Sequence, residues 1–94
     1  MAELTPGQIK TALPEIKDWQ KQSVSITRTY QFKDFGAAME FVNKVARAAE
    51  EANHHPDIDI RWNKVTLTLA THSEGGLTQK DFDLARKADA LAKA

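Results

Sequence analysis

Between Asp57 and Ala70 the chain alternates apolar and polar residues with period two. Ile58, Ile60 and Trp62 interleave with Asp57, Asp59 and Arg61, and Val65, Leu67 and Leu69 with Lys64, Thr66, Thr68 and Ala70. Such alternation marks half-buried strands. Asn tolerates positive φ, so Asn63-Lys64 is the expected two-residue turn. That turn pairs Trp62 with Val65, Ile60 with Leu67 and Ile58 with Leu69, each pair apolar and on one face. Continued outward, the register sets His55 opposite His72, 17 residues on, on the other face. Upstream, Val24, Ile26, Arg28, Tyr30 and Phe32 interleave with Ser25, Thr27, Thr29 and Gln31. This predicts a strand, preceded by a shorter one from Trp19 to Gln22. Arg28 breaks the apolar face and is expected at an edge, with its guanidinium in water.

The remaining segments carry helical spacing. Thr5-Pro6-Gly7-Gln8 is a helix start, with Thr5 as N-cap, Pro6 in the first turn and Gln8 at the capping-box position. Pro14 disfavours helical geometry at Leu13, so this helix is short. Asp34 can cap a long helix reaching about Ala52. Its main stripe, Phe35, Ala38, Met39, Val42, Val45, Ala46 and Ala49, is expected to face the sheet. Ala37, Phe41, Ala48 and Ala52 form a thinner second stripe, open between a subunit interface and scattered surface apolar residues. Asn53 is expected to end the helix. Ser73-Glu74-Gly75-Gly76 is a loop. Thr78 then caps the last helix, with Asp81 as its third residue and Leu77 and Phe82 as a hydrophobic staple. Leu84, Ala85, Ala88 and Leu91 make its buried stripe. The predicted order is α-β-β-α-β-β-α: an α+β fold with a four-stranded antiparallel sheet and three helices on one face.

Length and charge narrow the function classes. The 94 residues predict one domain, residues 1–94. Thirteen basic and 13 acidic residues give zero formal net charge, which argues against electrostatic capture of nucleic acid or anionic membrane. There is no cysteine, so neither a disulfide framework nor a thiolate metal site is available. No apolar run approaches the ~18–20 residues of a membrane span, and the start of the chain does not read as a signal peptide. A cytoplasmic protein is expected.

The candidate chemistry lies in the three histidines, His54, His55 and His72. Imidazole gives and takes protons near neutrality, so converging histidines can act as an acid and base pair. Pro56 biases His55 toward extended geometry, so the side chains of His54 and His55 diverge. Glu50, one turn before His54, can orient a histidine or stand at a solvated helix end. Asp81 is accounted for by capping, and can also hold His72 by a hydrogen bond. For Trp62, core packing is the simpler role. A zinc site is the rival reading, but adjacent histidines with a third 17 residues on match no common zinc spacing.

Taken together, Glu50, His54-His55-Pro56, Trp62, His72 and Asp81 at these spacings resemble the signature of the pterin-4a-carbinolamine dehydratases. Lys33-Asp34-Phe35, Asn63-Lys64-Val65, Thr71-His72 and Gly76-Leu77-Thr78 are further matches, so the resemblance covers nearly the whole chain. Asn53 departs from relatives with Asp before the histidine pair, and the segment from Trp19 to Phe32 is shorter than in animal members. The resemblance implies the same α-β-β-α-β-β-α fold, and dimers or tetramers, the latter assembled on the long middle helix. It implies loss of water from 4a-hydroxytetrahydropterin, without metal or cofactor, in recycling the pterin of an aromatic amino acid hydroxylase. His54, His55 and His72 would be catalytic, and Glu50, Pro56, Trp62, Thr71 and Asp81 would bind substrate or support them. Animal members also serve as dimerisation cofactors of a transcription factor, so an interaction module is the alternative.

Overall fold

The computed structural model describes residues 3–93. Helix α1 (Pro6–Ala12) starts with the expected capping box: Thr5 accepts from the Gln8 amide, and the Gln8 side chain accepts from the Thr5 amide. Pro14 stops the α-helix but not the winding, and Leu13–Ile16 continue as a 3-10 turn that buries Ile16. Strand β1 (Gln20–Gln22) is one residue shorter than expected, and β2 spans Ser25–Gln31. Trp19 instead turns into the core. Ser23 takes a left-handed φ of 55° between the paired Gln22 and Ser25, which leaves Val24 at the turn and half exposed.

Asp34 caps α2 (Phe35–Ala52) by accepting from the Ala37 amide at 2.8 Å. Asn53 ends it in the left-handed region at φ 50°, where Asn is tolerated better than most residues. The buried face of α2 differs from the expected stripe. Ala38, Phe41, Val45, Ala48 and Ala49 are buried, whereas Phe35 is 50% exposed. Phe41 and Ala48 of the second stripe thus belong to the core, and Phe41 cannot serve as an interface residue. The cause is an aromatic cluster: the Phe41 ring lies 4.7 Å from Tyr30 and 5.0 Å from Phe32.

Strands β3 (Asp57–Arg61) and β4 (Lys64–Leu69) form the predicted hairpin, but its register is shifted by two residues. Ile60 pairs with Val65 and Ile58 with Leu67, and Trp62-Asn63 forms the turn. Side chains keep their faces, because only an odd slip reverses them. Asn63 fixes the turn: its buried amide donates to the Phe32 carbonyl, and its own carbonyl accepts from the Phe32 amide, both at 2.8 Å. Trp62 is left 68% exposed, at φ 50°.

The sheet is antiparallel, in the order β1-β2-β4-β3. Together with α3 (Gln79–Lys93) the elements follow the predicted α-β-β-α-β-β-α order, with helices on one face. Ile26 and Tyr30 of β2 and Val65, Leu67 and Leu69 of β4 are buried with Phe82, Ala85 and Ala88 of α3. Arg28 does not sit in water. Its guanidinium donates to Asp89 of α3 at 2.7 Å, and that same carboxylate oxygen accepts from the Tyr30 hydroxyl and the Trp19 indole. Edge strand β3 is exposed along its length, including Ile58 and Ile60.

Candidate functional site

Two chain segments carry the histidines, and Asp81 ties them together. The first follows α2. Its left-handed exit at Asn53 lets the His54 amide bond back to the Ala49 carbonyl at 3.1 Å, so the imidazole turns inward instead of continuing the helix. The second is the connection from β4 to α3. Thr71 bridges Gly76, closing a loop in which His72–Glu74 form a 3-10 turn. A Cβ on Gly76 would collide with the Glu3 carboxylate, which lies over this bridge.

Asp81, on the first turn of α3, is fully buried between the two segments. Its Oδ1 lies 2.6 Å from His54 Nε2. Its Oδ2 accepts from the Thr71 hydroxyl at 2.8 Å and from the Thr78 amide at 2.9 Å. The residue immediately before His72 and the first histidine of the pair therefore share one carboxylate. Buried polar groups need such partners, because an unmet one costs ~1–3 kcal/mol.

This geometry corrects three expectations. His55 does not face His72 across a ladder. Strand β3 begins only at Asp57, β4 ends at Leu69, and the observed register runs His55 toward the level of Ala70. Asp81 holds His54 and not His72. Trp62 sits at the hairpin turn, about 23 Å along the chain from His55 at ~3.3 Å per residue, so the protomer does not bring it to the histidines. By contrast, Glu50 does engage a histidine: His55 Nε2 lies 2.5 Å from its Oε2, with both side chains more than half exposed. Pro56 separates His55 from the start of β3. His72 is exposed, and no side chain among the described residues hydrogen-bonds its ring. Thr78, expected only to cap α3, sends its hydroxyl to Thr71 at 2.9 Å. A threonine just before a helix reads as a cap, so no signal in the sequence marked this second use.

Chemically, the arrangement offers one buried, carboxylate-backed imidazole and two exposed ones on neighbouring segments. Among the described residues, no three His, Cys, Asp or Glu side chains are grouped to hold a metal ion. The fold and these residues define a small α+β protein with histidine acid–base capacity at the helix-exit end of the sheet. The chain belongs to the pterin 4 alpha carbinolamine dehydratase family, whose sequence model matches residues 2–91. A relative from Acidobacterium capsulatum is 56% identical over 91 residues, covering 97% of this chain and 99% of its own. One from Nocardia farcinica is 56% identical over 90 residues, covering 96% and 95%. Both are named, provisionally, pterin-4-alpha-carbinolamine dehydratases. The crystal structure of a transcriptional coactivator/pterin dehydratase from Brucella melitensis superposes with a TM-score of 0.92 at 42% identity, covering 96% of this chain and 98% of that one. A pterin dehydratase-like protein identified as a RuBisCO assembly factor in the alpha-carboxysome shares the fold, with a TM-score of 0.68 at 23% identity over 81% and 88% of the two chains.

Proposed function

We propose that this chain acts as one domain that dehydrates 4a-hydroxytetrahydropterin to quinonoid dihydropterin. The observation that carries the reading is the shared Asp81 carboxylate, which holds both His54 and Thr71, the residue just before His72. In the reaction the C4a–O bond breaks, the N5 proton departs and a C4a=N5 double bond forms, so the net loss is water. Hydroxide is a poor leaving group, so a general acid protonates the departing oxygen while a general base takes the N5 proton. Each contributes ~10²–10⁴ in rate. His55 and His72 are the acid and base; both are exposed, and Glu50 orients the former. His54 holds the substrate. Glu50, Pro56, Thr71 and Asp81 support the site, and Trp62 could join it only from another protomer. No metal or cofactor takes part. The product returns a pterin to an aromatic amino acid hydroxylase in the cytoplasm; among the described residues no helix is long and apolar enough to cross a membrane.

Self-association into dimers or tetramers belongs to the same reading. Exposed Ile58 and Ile60 on edge strand β3, and exposed Phe35 at the start of α2, support it. A role as a dimerisation or transcriptional-cofactor module is the second reading, favoured by the same apolar surface and by the similarity to the Brucella transcriptional coactivator/pterin dehydratase. Neither reading calls for direct nucleic-acid binding. Stopped-flow observation of carbinolamine breakdown with and without the protein tests the first. Acceleration by the protein supports it, and the uncatalysed rate at micromolar protein rejects it in favour of the second.

A further inference from the structure

Asp81 and Asp89 stand on the same helix, ~12 Å apart along its axis, and use their carboxylates differently. Asp81 engages both oxygens with buried groups. Asp89 takes its three donors, the Trp19 indole, the Arg28 guanidinium and the Tyr30 hydroxyl, all on Oδ1. Burial and the Asp89 carboxylate push the Tyr30 hydroxyl well above its ordinary range, so it stays a donor. Among the described residues nothing bonds Asp89 Oδ2, and no buried side-chain oxygen or nitrogen lacks a partner, so Oδ2 reaches solvent. The same holds for the N–H groups that Arg28 does not give to Asp89; its other terminal nitrogen lies 3.7 Å from Asp18, beyond hydrogen-bond reach. Both residues line a cavity of about 430 Å³ between the Leu13–Ile16 turn, β2 and the C-terminal end of α3. It shares no residue with the histidine site. A mostly buried ion pair on the core face of β2 is weak as a source of stability, since a packed apolar side chain there would serve as well.

The charges around the cavity select the ligand. Lys17 and Lys93 have no ion pair among the described residues, and Glu15 is engaged by Arg86. A simple anion would meet the Asp18 and Asp89 carboxylates, and a simple cation would meet Lys17, Arg28 and Lys93. A small molecule carrying both charges close together satisfies both sets. Pro14, Phe32 and Ala92 add an apolar wall beside them. The volume lies within the ~300–1,000 Å³ of small-molecule sites, which combine apolar walls with a few converging polar groups.

We propose that this cavity is a second binding site, for a free α-amino acid with an apolar side chain. The ammonium donates to Asp89 Oδ2. The carboxylate accepts from the free N–H groups of Arg28, with Lys17 and Lys93 flanking it. The side chain lies against Pro14, Phe32 and Ala92. The proposal does not rest on the dehydratase reading.

Titration of L-leucine into ¹⁵N-labelled wild-type protein tests it, read at the Trp19 indole N–H and the Arg28 Nε–H. The expected result is saturable shifts at both, with a Kd on the order of 1 mM or tighter. N-acetyl-leucine lacks the ammonium and leucine amide lacks the carboxylate. Each gives up charge-assisted hydrogen bonds and should bind about ten-fold more weakly or worse. No saturable shift with leucine up to ~10 mM overturns the site. Binding of either analogue as tight as leucine overturns the zwitterion as its ligand. Lys93→Ala, at an exposed position outside the hydrogen-bonded cluster, should weaken leucine about three-fold, and Arg28→Met should abolish its binding. Unchanged binding in a folded Arg28→Met overturns the proposal. The two analogues need no variant, so the test stands even where Arg28→Met does not fold.

Discussion

Replacing Asp81 with alanine leaves three groups without an acceptor at once: the Thr71 hydroxyl, the Thr78 amide and His54 Nε2–H. Asp81 and Thr78 are fully buried, and His54 and Thr71 nearly so, so water does not replace the carboxylate cheaply. An unmet buried donor costs ~1–3 kcal/mol. The Thr71 hydroxyl can rotate toward Thr78 and His54 can change tautomer, which trims the sum to about 3–5 kcal/mol. A domain of this size has a total stability on the order of 5–10 kcal/mol. Asp81→Ala should therefore remove a large share of it. The measurement is urea unfolding followed by circular dichroism. With a urea slope of about 1–1.5 kcal/mol/M, the midpoint falls by roughly 2–5 M at unchanged slope. Asp81→Asn keeps two acceptor lone pairs but turns an NH₂ toward one of the three donors, and should lose about half as much. A loss below ~1 kcal/mol for Asp81→Ala would refute the reasoning, because it would mean that the three donors find other partners or that the carboxylate is not their common acceptor.

Phe41→Glu should prevent folding or cost more than ~4 kcal/mol by burying a charge among the Tyr30 and Phe32 rings, visible as loss of cooperative unfolding. Phe35→Glu should leave stability within ~0.5 kcal/mol and shift assembly toward the monomer in analytical ultracentrifugation. Trp62→Asn, at φ 50°, should raise stability by about 0.5–1 kcal/mol in thermal unfolding, because Asn tolerates the left-handed region. Burial, with the Asp89 carboxylate beside it, pushes the Tyr30 hydroxyl well above its ordinary pKa of 10.0. The folded state then holds this proton more tightly than the unfolded chain. Its stabilising share is complete below pH 10 and is lost as pH rises above that value, so unfolding midpoints should fall more steeply above pH 10 in the wild type than in Tyr30→Phe.

The element order was legible because period-two and period-3.6 patterns do not overlap in this chain. Register was less so. A two-residue slip of the hairpin preserves which side chains face the core, and the bond that selects the true turn runs from Asn63 to Phe32, 31 residues away. On α2 two apolar stripes compete, and periodicity does not rank them. The ring of Phe41 wins because Tyr30 and Phe32 stand opposite it on the sheet. Arg28 looked like an edge residue because its partner, Asp89, lies 61 residues on. At the candidate site, the histidines and their carboxylates were legible as residue types. Their pairing was not: Asp81 and His54 meet only because Asn53 turns the chain out of α2 in a left-handed step. Thr71 entered only through the family resemblance, and the bond from Thr78 to it was hidden because a threonine just before a helix reads as a cap.

The most direct test of histidine acid–base dehydration is the single-turnover rate of carbinolamine disappearance in His72→Ala beside wild type, with folding of both confirmed by circular dichroism. Removal of one of two proton-transferring groups predicts a drop of ~10²-fold or more. A folded His72→Ala that dehydrates the carbinolamine as fast as wild type would contradict the account.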